Sequence, residues 1–202
     1  MSESTQNIKS NQNMTEKEWV GGVLQKLQSN MLPHFRNIQI AEGKRLTFAN
    51  EVLGYSSNVE PALRNEVMHE SDILLLEMRD ENFWIPRVVI DIKLGSISTQ
   101  DALICNHKAQ THKMVHPFLR YGLLIGNRQL FPLPARLFRM GQHFDFMISW
   151  KGLESEDNEL QKTINILRSE VAASRRLEEI LFKEGTKNKK RITILHRPLL
   201  IG

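Results

Sequence analysis

Two hundred and two residues, with 27 Lys+Arg against 23 Asp+Glu, 41% hydrophobic side chains and a single cysteine, describe one core-forming domain with a small appendage. The lone Cys105 excludes an internal disulfide and a multi-cysteine zinc site, and a formal net charge of +4 is too small to identify a polyanionic partner by itself. No apolar run approaches membrane-spanning length, so no membrane partner is expected, and the lack of a disulfide framework makes the expectation a cytoplasmic, intracellular protein.

Residues 1–14 are polar, lack the basic-then-apolar order of an export signal, and read as a disordered tail. Thr15 and Glu18 have capping-box spacing, and Trp19, Val20, Val23, Leu24 and Leu27 recur at helical intervals, which predicts a helix over about 16–29 closed by Pro33. Leu46, Phe48, Val52 and Leu53 suggest a short helix over 45–53, ended by Gly54. Residues 72–78 and 84–94 are apolar runs of strand length flanking a polar turn, the signal of a β-hairpin. Their near-continuous hydrophobicity places both strands centrally in a sheet covered on both faces. A helix follows over about 98–115, capped by Ser98 or Thr99, and then a short strand over 121–126 that fits a parallel crossover. Residues 137–150 alternate as another strand, and Leu160, Ile164, Leu167, Val171, Leu177 and Leu181 mark a long amphipathic helix over 156–183. Its stripe loses register at Ser174 and Glu178. The basic run 187–191 and a strand over 192–195 complete the chain. The expected organisation is a tail (1–14), a core (15–155) and a C-terminal helix and strand (156–202) that packs on the core or contacts a subunit or DNA.

The chemistry concentrates on the hairpin. Asp72 opens one strand and Asp91, Ile92 and Lys93 lie near the end of the other, so antiparallel pairing brings these ends together. Asp91 and Lys93, two apart on a strand, project to one face, where burying their charges without purpose is costly. Two carboxylates and the Ile92 carbonyl offer hard oxygen ligands to Mg²⁺, and Lys93 can orient or deprotonate a water or neutralise developing charge. That is the equipment of metal-assisted phosphodiester hydrolysis. His112 and His116 have zincin spacing, but Lys113 stands where the general-base Glu belongs; no phosphate-binding glycine loop occurs, so no nucleotide cofactor is expected.

At Ser71, Asp72 and Asp91-Ile92-Lys93 the sequence resembles the PD-(D/E)xK nuclease superfamily, the fold of most type II restriction endonucleases, with Ser71 in the place of the namesake proline. The resemblance extends to the order of elements over roughly residues 45–126. It implies an α/β fold with a restriction-endonuclease-like core, a central mixed β-sheet flanked by helices, to which the chain adds a long C-terminal helix. It also implies an acidic residue from the preceding helix at the metal. Glu51 is the first candidate by position, with Glu60 and Glu66 behind it, while Glu70 and Glu77 read as strand-end surface charges. The catalytic set is then Asp72, Asp91, Lys93 and Glu51, the metal ligands Asp72, Asp91 and the Ile92 carbonyl, and the DNA contacts Lys108, His112 and Lys113 on the helix after Lys93. Arg136, Arg139 and the 187–191 run are further phosphate-contact candidates.

The expected function is that of a Mg²⁺-dependent endonuclease acting on double-stranded DNA in a prokaryotic restriction system. Such a site cuts one strand, so the chain is expected to form a homodimer or to work with a second nuclease or recognition subunit, as the small catalytic subunit of a heterodimeric type IIS enzyme does. The alternatives are a repair or recombination nuclease with the same core, and a non-catalytic interaction protein in which Asp91 and Lys93 merely pair.

Overall fold

The structure is a computed structural model describing residues 14–31, 35–128 and 133–182. Residues 1–13, the 187–191 run and the expected strand over 192–195 lie outside these. In chain order the elements are α1 (Glu16–Met31), β1 (Ile38–Glu42), β2 (Arg45–Tyr55), β3 (Pro61–Glu70), β4 (Ile73–Met78), β5 (Trp84–Leu94), α2 (Thr99–Val115), β6 (Arg120–Gly126), α3 (Ala135–Met140), β7 (Phe146–Ser149) and α4 (Asp157–Phe182).

The main sheet has the order β1-β4-β5-β6-β7 and is mixed: β1, β4 and β5 pair antiparallel, β5, β6 and β7 parallel. It is an α/β fold with helices on both faces. On one face Val20, Val23 and Leu27 of α1 and Ile164, Leu167 and Val171 of α4 pack on Ile73, Leu75, Val88 and Ile90. On the other, Ala102, Cys105 and Ala109 of α2 pack on Leu74, Leu76, Val89 and Leu123. The long C-terminal helix thus buries Ile164, Leu167 and Val171 of its apolar stripe in its own domain, while Leu181 near its end stays exposed. Among the described residues no helix is long and apolar enough to cross a membrane.

Three sequence expectations need correction. The helix expected over 45–53 does not form: β2 and β3 make a separate two-stranded hairpin. The strand expected over 137–150 is shorter, because residues 135–140 form α3 behind Pro134 and only Phe146–Ser149 pairs with β6. Glu77 is no surface charge but is buried against Arg87.

That pair comes from a bulge. Between Leu75 and Leu76 the register slips so that Leu75 faces Val88 and Leu76 faces Pro86, leaving Arg87 as the extra residue of β5. A bulge is where a strand tolerates proline. The Arg87 guanidinium, fully buried, donates to Glu77 Oε2 at 2.6 Å and to Glu178 Oε2 of α4 at 2.5 Å. Buried Ser174 lies beside it, so both residues at which the α4 stripe loses register are partners of Arg87. Burial alone would raise the Glu77 pKa, but Arg175 and Arg87 outweigh it and hold the carboxyl below its ordinary range.

Removing Arg87 leaves Glu77 charged, buried and short of its closest partner. Arg87→Ala is expected to cost about 3–5 kcal/mol of folding free energy, read as a lower denaturant midpoint at constant slope. Lys26→Ala, which breaks the exposed Lys26–Glu154 pair, should cost under about 1 kcal/mol. Equally small losses in both variants would mean that the network does not hold α4 to the sheet.

Candidate functional site

β4 ends before β5 does. The last antiparallel pair is Ile73–Ile90, and beyond it the Ile92 amide has no strand partner on that side. The Asp72 carboxylate takes its place, with Oδ2 accepting from Ile92 N at 2.7 Å. A strand residue turns its carbonyl to the same side as its amide, so the Ile92 carbonyl shares this open edge with Asp72.

Asp91 and Lys93 alternate with Ile92, whose side chain is buried on the α1/α4 face, and so project toward the α2 side of the sheet. Asp91 is 3% exposed. Its Oδ1 accepts from the Tyr121 hydroxyl at 2.9 Å, while Oδ2 is buried without a strong donor, the Cys105 thiol offering the carboxyl only a weak hydrogen bond. Burial raises the Asp91 pKa; the Lys108 ammonium opposes this, the Asp72 charge reinforces it, and the net shift is upward. Burial and the same carboxylate push the Cys105 thiol up to about 12, so it is no nucleophile.

Lys93 Nζ is held at 2.8 Å by Glu16 Oε1, and the other Glu16 oxygen accepts from the Leu94 amide at 3.3 Å. Burial disfavours the Lys93 charge, but the hydrogen bond and charge of Glu16 prevail and raise its pKa, so the ammonium stays protonated. Glu16 stands in the first turn of α1, whose start is fixed by reciprocal bonds between Thr15 and Glu18. Sequence reading did not single out Glu16 as a neighbour of Lys93, although the capping box beside it marks the start of its helix.

The structure does not bring Glu51 to this place. Glu51 is exposed on β2, accepts from Asn65 Nδ2 at 2.7 Å, and lies six residues up the ribbon from its root at Arg45, roughly 20 Å of strand. Glu60 sits at the hairpin turn and Glu66 bonds to Thr47 Oγ1. On α2, Lys108 acts electrostatically on Asp91, but His112 is buried at 1% exposure and cannot touch DNA phosphates. Lys113 is engaged with Asp145 and the His143 carbonyl, both at 2.6 Å, and Arg136 donates to the Ile97 carbonyl. Arg139 is exposed.

Among the described residues no three His, Cys, Asp or Glu side chains form a ready-made metal cage. The donors at the sheet edge nevertheless fit Mg²⁺, which takes one or two carboxylates and keeps waters for the rest. Asp91 Oδ2 is a buried, unsatisfied acceptor with a second carboxylate and a free carbonyl nearby, and a divalent cation would favour its charged form. No family model and no curated protein matches the chain, so the functional reading rests on this geometry.

His112 yields a test of the α2 side. Its ring stacks on Tyr121 and packs edge-on against Phe48, and burial together with His69 and His116 lowers its pKa from 6.5 to about 4. Between those values the unfolded chain binds a proton that the folded chain refuses, so stability falls as pH drops from about 6.5 toward 4. Burial lowers His116 as well, adding in the same direction. His112→Phe is therefore expected to flatten the fall of the denaturant midpoint across this window. The same slope in both proteins would show that His112 is not the group responsible.

Proposed function

We propose that this protein is a Mg²⁺-dependent DNA endonuclease of the restriction-enzyme type, with a PD-(D/E)xK-like site that hydrolyses one strand of double-stranded DNA per active site. The observation that carries the reading is the unsatisfied Oδ2 of Asp91, buried at the end of β5 beside Asp72 and Lys93. Nor is Asp91 held in an ion pair with Lys93, whose ammonium is bound by Glu16 instead.

Asp72, Asp91 and the Ile92 carbonyl would hold the cation, and Asp72 also fixes the Ile92 backbone through its bond to the amide. Bound Mg²⁺ supplies Lewis-acid stabilisation of the phosphorane-like transition state. Lys93, kept charged by Glu16, orients the attacking water and neutralises charge developing on the phosphate, rather than serving as the base. Glu16 acts through Lys93 and not at the metal, the part for which sequence position suggested Glu51. Lys108, half-buried on α2 and acting electrostatically on Asp91, would be an α2 cation for a phosphate at this site. Cutting both strands requires two sites, from a second copy of the chain or from a separate nuclease subunit.

The test is incubation with supercoiled plasmid, long linear DNA and a branched junction, each with Mg²⁺ or EDTA. Mg²⁺-dependent cleavage is expected, and Lys93→Ala should slow it by about 10²–10³-fold. Asp91→Asn should abolish it, with both variants showing the wild-type circular dichroism spectrum of a folded chain. Preference for the junction would point to repair or recombination, and nicking alone to a missing second subunit. No cleavage with any divalent metal, and no difference between wild type and variants, would leave the non-catalytic interaction protein.

A further inference from the structure

We propose that Tyr121 is a positioning residue for the metal ligand Asp91: its hydroxyl ties down one carboxylate oxygen so that the other is left free for the cation. The inference rests on the nuclease reading and goes beyond it, since neither the hairpin signature nor the spacing of acids and lysine points to a residue on β6.

Three contacts hold the phenol where it is. Its backbone amide donates to Asp145 Oδ2 at 2.8 Å, and Asp145, whose side chain is wholly buried, is gripped by Lys113 at 2.6 Å and Arg120 at 2.9 Å. Its ring stacks on His112 at 5.8 Å between centroids and 24° between planes, and His112 is itself packed against Phe48 and His69. The parallel register sets Tyr121 against Val89, two residues before Asp91 on the same face, and its hydroxyl ends 2.9 Å from Asp91 Oδ1. A buried tyrosine needs one acceptor for its proton. Here that acceptor belongs to Asp91, whose other oxygen is buried with no strong donor of its own. The bond removes the freedom of a two-oxygen ligand to rotate, which is what hydrogen bonding to a ligating carboxylate accomplishes around metal ions. It also gives structural roles to two α2 residues: Lys113 acts through Asp145 on the Tyr121 backbone, and His112 acts on the Tyr121 ring.

Tyr121→Phe keeps the ring and its stack and deletes only the donor. Mn²⁺ serves as the probe, with its binding followed through the electron paramagnetic resonance of the free ion, without DNA. The wild type is expected to bind Mn²⁺, Asp91→Asn to lose binding, and Tyr121→Phe to bind 10–100-fold more weakly. The metal concentration for half-maximal cleavage should rise by a similar factor. The Mn²⁺-induced rise in melting temperature, which reports on folded molecules alone, should shrink in parallel. A merely structural tyrosine would change the metal-free melting temperature and leave these metal midpoints in place. Wild-type Mn²⁺ affinity in Tyr121→Phe would overturn the positioning role and leave the nuclease reading standing. Equal absence of Mn²⁺ binding in wild type and Asp91→Asn would overturn both.

Discussion

An amide at the end of a buried strand must find an acceptor, and the Ile92 amide lies two residues beyond the last β4–β5 pair, where β4 no longer supplies one. Asp72, the residue just before β4 begins, provides the acceptor from its side chain. This substitution of a carboxylate for a backbone carbonyl keeps the hairpin closed at its open end and brings a negative charge beside Asp91. It also leaves the Ile92 carbonyl unladdered. Ser71 supports the arrangement from the other side: its amide and hydroxyl both donate to the Lys44 carbonyl at 2.9 Å, which ties the root of the β2–β3 hairpin to the same corner.

β5 serves two purposes on two faces. Its first half carries the Arg87 bulge, which turns a cation toward α4 and joins that helix to β4 through Glu77 and Glu178. Its second half resumes strict alternation, so Asp91 and Lys93 project toward α2 while Ile90 and Ile92 enter the core beneath α1 and α4. Without the extra residue, every side chain on one half of the strand would exchange faces relative to the other. The bulge therefore lets a single strand hold an internal ion network on one side and an unsatisfied carboxylate on the other.

The central hairpin, α2 and the long C-terminal helix were legible because burial imposes a period on their residues: continuous apolar runs in β4 and β5, and a stripe in α4. β2 and β3 were not, because most of both strands is exposed and carries no alternation; Val52, Leu53 and Tyr55 all face solvent. Misreading that ribbon as a helix put Glu51 forward and left Glu16 unnoticed in the helix that does precede the hairpin. Glu77 and Arg87, each a charge within an apolar run, could have been paired as buried partners. His112 could have been recognised as buried from its place in the series Ala102, Cys105, Ala109, His112. The Asp72, Asp91 and Lys93 neighbourhood was legible from hairpin geometry alone; the free oxygen and the Tyr121 bond required side-chain positions from separate elements.

The pairing of Lys93 with the first turn of α1 has a dynamic consequence. Helix ends open and reclose on their own, with free energies far below that of global unfolding. Each opening at Glu16 would release the ammonium from its counter-ion and from the Leu94 amide that the same carboxylate also holds. The Thr15–Glu18 box sets how often this happens, since it closes the turn on which Glu16 stands. The charge environment of Lys93 is thus governed by a fraying equilibrium, and amide hydrogen exchange in the first turn of α1 would report on it directly.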